Sequence, residues 1–149
     1  MEKLYAAYGT LMAEEPMKAI CPTAEMVGTG VIRNYRLMFK GELPLSRATV
    51  EDDKGSEVPI VVWRLTEANV SDLGAELTRW GSYHEAEIKA VVGKRVVPVT
   101  VHVKDDGERL NPPDSHYYAA IYAVYEEHGF DLEKLEEALE YSERRFGWI

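Results

Sequence analysis

Leu4-Tyr5-Ala6-Ala7-Tyr8-Gly9-Thr10-Leu11-Met12 reads as an apolar strand that breaks at a glycine and ends in a hydroxyl. A stretch of this kind delivers a bare backbone loop to one place. Gly9 lacks a Cβ, so a ligand can approach the chain closely, and the N–H groups that follow can converge as a small anion-binding nest. A glycine after a strand is also a common turn. The weight of the loop therefore depends on what the rest of the chain brings to it.

Outward from this loop, short β-type runs dominate the first two thirds: Leu4 to Tyr8, Met26 to Ile32, Tyr35 to Phe39, Ala48 to Val50, Val58 to Leu65, Ala86 to Val92 and Val96 to Val103. Arg33-Asn34 is short enough for a hairpin, Asp52-Asp53-Lys54-Gly55 predicts a polar turn, and Val92-Gly93-Lys94 predicts a tight one. Pro98 inside the last run implies an edge position or a bulge. Helical pattern occurs in three places. Thr66 can cap a helix towards Trp80 that carries Val70, Leu73 and Leu77 at helical spacing. After Asn111-Pro112-Pro113, Asp114 or Ser115 can cap a helix with Tyr118, Ile121, Tyr122 and Tyr125, which Gly129 ends. Asp131 starts a last helix with Leu132, Leu135 and Leu139 on one face. Because the helices interrupt the strands rather than alternate with them, the expected fold is α+β, a small mixed β-barrel with flanking helices, not a doubly wound sheet.

Composition narrows the function classes. The 149 residues are 46% hydrophobic, enough for one core, and no repeat, linker or low-complexity tract divides them, so residues 1–149 are expected to form a single domain. Lys and Arg number 17 against 26 Asp and Glu, a formal charge of −9. No segment gathers basic residues as a phosphate-tracking surface would, which argues against duplex DNA or RNA as a partner. A small anion held locally remains compatible with that charge, which governs steering rather than local hydrogen bonds. Cys21 is the only cysteine, so no internal disulfide is possible, and it has no neighbouring ligand that would suggest a metal site. The amino terminus reaches charged Glu2 and Lys3 at once without a signal-peptide h-region, and no apolar run approaches the roughly eighteen residues of a membrane span, so an unexported protein is expected. The expected compartment is the cytoplasm.

Several segments together resemble the γ-glutamylcyclotransferase-like superfamily, also known through AIG2-like proteins, in its bacterial branch. Tyr8-Gly9-Thr10-Leu11 is similar to that family's Tyr-Gly-Ser-Asn or Tyr-Gly-Thr-Leu loop. Cys21-Pro22-Thr23-Ala24, Val27-Gly28, Tyr35-Arg36-Leu37-Met38-Phe39, Ala48-Thr49-Val50, Val58-Pro59-Ile60-Val61-Val62-Trp63, the helix to Trp80, Asn111-Pro112-Pro113, Tyr117-Tyr118, Tyr125 and His128-Gly129-Phe130-Asp131 continue the match in order. The resemblance implies an enzyme that makes the α-amine of a γ-glutamyl amide attack its γ-carbonyl, releasing 5-oxoproline and an amine. It implies no cofactor and no metal. One carboxylate held near neutrality could serve both proton transfers, while the Gly9 loop supplies N–H groups to the developing oxyanion.

The carboxylate is where this chain departs. Similar proteins carry Leu-Asp-x-x-Glu-Gly followed by a Tyr, and the Glu is the acid/base; here the stretch is Leu77-Thr78-Arg79-Trp80-Gly81-Ser82-Tyr83. Aligned without a gap, Gly81 stands at the Glu position. Aligned on Tyr83, the Glu-Gly segment is missing. Ile60 and Val124 replace expected glycines and add apolar surface, and Leu11 follows the Thr-Leu form of the loop. Glu85 first and Glu76 second are the candidate substitute carboxylates. Glu85 and Glu87 share a strand face and a register shift could turn one inward, although acidic residues in such places are commonly solvated. His84, His102, His116 and His128 are scattered without ligand spacing. Tyr5, Tyr8, Tyr83 and Tyr125 are candidates for pocket lining with Gly9, Thr10 and Leu11, whereas Trp63 is expected in the core and Cys21 lacks a base partner.

Two functions follow. In the first, the protein has lost the acid/base and binds a small ligand, a γ-glutamyl amine or another small anion, or a partner protein. In the second, it is an active cyclotransferase with Glu85 or Glu76 relocated to the task. Phe146, Gly147, Trp148 and Ile149 would either seal a homodimer contact or tuck onto the barrel.

Overall fold

The computed structural model describes residues 2–146, with side chains through 143. The question raised by Phe146, Gly147, Trp148 and Ile149 falls outside the described side chains. The elements run β1 (Glu2–Ala7), α1 (Glu14–Ile20), β2 (Glu25–Lys40), β3 (Arg47–Thr66), α2 (Glu67–Leu77), β4 (Tyr83–Val92), β5 (Arg95–Lys104), α3 (Ser115–His128) and α4 (Leu132–Phe146), with 3-10 turns at Thr10–Met12 and Thr78–Trp80. This is an α+β fold. The sheet is mixed and its order, β1-β3-β2-β4-β5, closes on itself as a barrel. Neighbours are antiparallel except at the closing seam, where Tyr5 of β1 pairs in parallel with Thr100 of β5.

The fusion of apolar runs is the main departure from the sequence reading. Met26 to Ile32 and Tyr35 to Phe39 belong to one strand, β2, and Ala48 to Val50 joins Val58 to Leu65 in β3. Arg33-Asn34 is therefore not a hairpin turn. Arg33 pairs with Glu57 and Tyr35 with Asp52, so residues 53–56 bulge out opposite Asn34. Asn34 accepts the left-handed conformation, φ 67°, and its Oδ1 takes the Gly55 N–H at 3.0 Å. A polar cluster inside a long antiparallel pair is absorbed as a bulge because the apolar residues on both sides keep their partners. Gly93-Lys94 does form the tight β4–β5 connection, and Pro98 lies in a part of β5 that pairs with β4 alone.

Helix α1 was not anticipated. Its signals are short: Glu14 and Glu15 in the first turn and Pro16, which the first turn tolerates. The longer helices start where their caps predict. Thr66 accepts the Asn69 N–H at 3.1 Å while Asn69 returns a bond to the Thr66 N–H. Asp114, rather than Ser115, caps α3 by accepting the Tyr117 N–H at 2.8 Å, and Gly129 ends that helix at φ 71°.

The core fills the barrel and its contacts with the helices, with Trp63, Phe39, Ile32, Ile60, Leu65, Leu73, Met12, Met17, Ile121 and Leu135 all buried. Helix α4 adds a polar tie, since Ser142 Oγ accepts the Phe39 N–H at 3.0 Å and donates to the Ala138 carbonyl. Closure of the barrel depends on Gly30. A Cβ there would lie 2.4 Å from the Val91 carbonyl oxygen, so only glycine lets β2 and β4 approach. Gly30→Ala is expected to destabilise the protein by about 2 kcal/mol or more through forced separation of these strands, read as a lower urea midpoint; an unchanged midpoint would show that the seam tolerates a side chain.

Candidate functional site

Strand β1 ends at Ala7 and hands the chain to the 3-10 turn, so that Gly9, Thr10 and Leu11 sit at the mouth of the barrel. The turn's own hydrogen bonds begin at the Met12 N–H, which donates to the Gly9 carbonyl, so the N–H groups of Thr10 and Leu11 are not used by it. Two adjoining lobes open here, with five lining residues in common. The inner lobe, about 40 Å³, is lined by Tyr5, Ala7, Tyr8, Gly9, Thr10, Leu11, Ala48, Leu77, Tyr83 and Tyr117. The outer lobe, about 210 Å³, shares Thr10, Leu11, Leu77, Tyr83 and Tyr117 and adds Pro16, Ile20, Arg47, Glu76 and Trp80. Every side chain on the inner lobe is apolar or a hydroxyl.

The hydroxyls are largely spent on the protein. Tyr5 Oη shares a 2.8 Å hydrogen bond with His102 Nδ1, Tyr8 Oη donates to the His102 carbonyl at 2.6 Å, and Tyr117 Oη accepts the Ala48 N–H at 3.1 Å. Burial raises the pKa of Tyr5, Tyr8 and Tyr83, and that of Tyr117 to about 12. All four are neutral phenols near pH 7. A Cβ on Gly9 would come within 3.3 Å of Tyr117 Oη and 3.7 Å of the Ala48 methyl. The bare backbone at Gly9 thus keeps the inner lobe open.

The outer lobe carries the charge. The Arg47 guanidinium lies between two rings, 4.1 Å from the centroid of Trp80 and 4.2 Å from that of Tyr117. Its Nη1 donates to the Ser46 carbonyl at 2.9 Å and to Asp114 at 3.2 Å. Glu76, on the wall of the same lobe, is engaged by Arg79 at 2.9 Å. Asp114, with its hydrogen bond from the Tyr117 N–H and the Arg47 charge beside it, is held below the usual carboxylate range.

The sequence candidates separate. Tyr8, Gly9, Thr10, Leu11, Tyr83 and Tyr5 come together on the cavity, and Glu76 reaches its outer lobe. Glu85 does not. It is exposed on β4 opposite His102, and Glu87 is exposed as well. Tyr125 is also elsewhere, fully buried and edge-on to Phe130 at 5.5 Å, beside a separate cavity that includes Arg36 and Lys134. Geometry explains this: Tyr117 and Tyr125 are eight residues apart on α3, about 12 Å along the axis, so one helix cannot present both to one small cavity. Tyr117 is a cavity-lining tyrosine that was not among the sequence candidates. Its position in the first turn after the Asp114 cap was the available signal. Arg47 was missed altogether, because a single Arg at a strand start carries no motif.

At position 81, where the gap-free alignment of the resemblance places a Glu, the structure has an occupied space. A Cβ on Gly81 would lie 2.6 Å from Lys104 Nζ and 2.7 and 2.8 Å from the two Glu108 carboxylate oxygens. Gly81 also adopts φ 130°, which side-chain-bearing residues avoid. Lys104, its side chain fully buried, donates to Glu108 at 2.9 Å and to the Trp80 carbonyl at 2.6 Å, and Glu108 accepts the Ser82 N–H at 3.0 Å. An ion pair from β5 and the loop after it holds the ground.

Among the described residues, no three His, Cys, Asp or Glu side chains lie close enough together to hold a metal ion, and no helix is long and apolar enough to cross a membrane.

No protein-family model matches the sequence, and no curated protein is significantly similar to it. Solved structures are similar. Uncharacterized protein loc79017 from Homo sapiens superposes with a TM-score of 0.80 at 23% identity, covering 92% of this chain and 86% of that one. A gamma-glutamyl cyclotransferase superposes at 0.81 with 22% identity, covering 93% and 86%. An aig2-like protein from Mus musculus gives 0.58 at 14% identity, covering 78% and 82%. The chain therefore has the fold shared by γ-glutamyl cyclotransferase and AIG2-like proteins.

His102 provides a test of the buried wall. Burial lowers its pKa below the ordinary 6.5, against a smaller opposing effect of Glu85. The unfolded chain thus takes up a proton before the folded one does as pH falls, so this group's contribution to stability is full above about pH 6.5 and is lost below it. His102→Gln is expected to flatten the fall in melting temperature between about pH 7 and pH 5. An unchanged slope would show that His102 is not held neutral by the fold.

Proposed function

We propose that this protein binds a small molecule in the cavity at Gly9 and does not carry out the cyclotransferase reaction. The observation that carries this reading is the inner lobe, whose side chains are apolar groups and neutral hydroxyls with no carboxylate among them. Intramolecular aminolysis of a γ-glutamyl amide needs a group that takes a proton from the α-ammonium and returns one to the leaving amine. Phenols whose pKa values burial has raised are poor bases for the first step. The Lys104–Glu108 pair behind Gly81 supports the same conclusion, because its carboxylate is committed to a buried ammonium and a backbone N–H. Binding needs less. The bare Gly9 backbone, the N–H groups of Thr10 and Leu11 that the turn does not engage and the Arg47 guanidinium suit a small anion.

A second reading keeps one supporting observation. Glu76 lines the outer lobe, and release from Arg79 on substrate entry would give it access to a bound amine. This is the active cyclotransferase with a relocated acid/base. Glu85 supports it less, because it faces solvent away from both lobes.

Mass spectrometry for 5-oxoproline, over a panel of γ-glutamyl amines, γ-glutamyl dipeptides and glutathione, separates the two. The expected outcome is no release above the spontaneous rate from folded protein, unchanged by Glu76→Gln or Glu85→Gln. Release that Glu76→Gln lowers by about a hundredfold, the scale of a lost general acid/base, would establish the enzyme instead.

A further inference from the structure

The two lobes differ in chemistry, and the difference defines what would fill them together. The inner lobe, about 40 Å³ against about 210 Å³ for the outer one, is the smaller of the two and suits a short chain rather than a bulky group. Its hydroxyls already have protein partners at Tyr5, Tyr8 and Tyr117. Ala7, Leu11, Ala48 and Leu77 supply apolar surface, and Gly9, Thr10 and Tyr83 complete the lining. An apolar tail satisfies such a space better than a polar group, which would be stripped of water without gaining enough hydrogen bonds in return.

At the other end, Arg47 lines the outer lobe with its guanidinium fixed between Trp80 and Tyr117. Its side chain is 13% exposed, so its charge is partly desolvated and its rotamer is held by the two rings. A guanidinium has five N–H donors in a planar fork. The bonds to the Ser46 carbonyl and Asp114 both use Nη1, which leaves donors for another acceptor. Glu76, the carboxylate on the same lobe, is already matched by Arg79. Arg47 is paired with Asp114 through Nη1 alone, so what it offers the cleft is its remaining donors, which suit a small acceptor carrying a short apolar chain.

We infer that the ligand is a small monocarboxylate, its carboxylate gripped by Arg47 in the outer lobe and its short aliphatic tail entering the inner lobe beside Ala48 and Leu77. This inference rests on the small-ligand reading and narrows it from small molecules in general to short-chain organic acids. It assigns Arg47 as the residue that selects for charge and Leu77 as the one that limits tail length. An amino-acid head group is disfavoured on this geometry, because Glu76 would have to leave Arg79 to receive its ammonium.

Isothermal titration calorimetry with straight-chain acids from acetate to hexanoate, the neutral amide butyramide, and glutamate tests this on the full chain. The expected result is affinity that rises with tail length to an optimum and then falls, with butyrate bound at least tenfold more tightly than butyramide. Arg47→Gln should remove the preference for the acid over butyramide, and Leu77→Ala should move the optimum to longer acids. Circular dichroism melting checks that each variant is folded. If Arg47→Gln does not fold, Arg47→Lys serves in its place, since a lysine keeps the charge but not the planar fork, and it is expected to weaken acid binding by about threefold or more. Equal affinity of wild type for acid and amide, or unchanged acid binding in a folded Arg47 variant, overturns the inference while the small-ligand reading stands. Binding of glutamate in preference to butyrate overturns it in the same way. Failure of every probe, together with a blank response to a neutral fragment set, overturns the small-ligand reading itself.

Discussion

The site depends on one buried ammonium. Lys104 closes β5 with a side chain that has no exposure to water, and a charge so placed persists only where donors and acceptors around it replace the lost hydration. Glu108 and the Trp80 carbonyl do this, and the Tyr83 ring lies 4.8 Å from the same nitrogen. The backbone is drawn in as well, because the Lys104 N–H donates to Thr49 and the Ser82 N–H donates to Glu108. Around this charge the chain from Thr78 to Tyr83 folds as a 3-10 turn and a glycine at φ 130°. Trp80 and Tyr83 thereby face the cleft.

The consequence for chemistry is substitution rather than simple loss. The space into which a side chain at position 81 would point is filled by the pair, so a carboxylate could not be restored there without displacing Lys104 or Glu108. What is left on the cavity is a set of neutral phenols, most of them tied to the barrel wall through His102 and Ala48, one guanidinium stacked at the entrance, and Glu76 engaged by Arg79. Such a surface suits the small-anion binding proposed above. It is poorly equipped to move protons.

Much of the fold was legible in the sequence because apolar runs and caps report local physics. Thr66 and Asp114 sit where their side chains satisfy the first N–H groups of α2 and α3, and Gly93 sits where a two-residue turn needs it. The fused strands were not legible, since the polar residues 53–56 look like a turn whether the chain reverses there or bulges and continues. The site was half legible. Tyr8 to Leu11 and Tyr83 announce themselves as loop and aromatic signals and do line the cavity. Tyr125 was misplaced by its two-turn offset from Tyr117, and Glu85 by the assumption that its strand face would turn inward at that point. Arg47, Lys104 and Glu108 act through neighbours distant in sequence, Trp80 above all. No local pattern encodes such contacts.

The most direct measurement is a double-mutant cycle on Lys104→Met and Glu108→Gln, with stability taken from urea unfolding. If the pair organises the turn that builds the cleft, the single substitutions are each destabilising and the double costs less than their sum, with a coupling of about 1 kcal/mol or more. Additive effects would contradict the account, because they would mean that the ammonium and the carboxylate do not depend on one another.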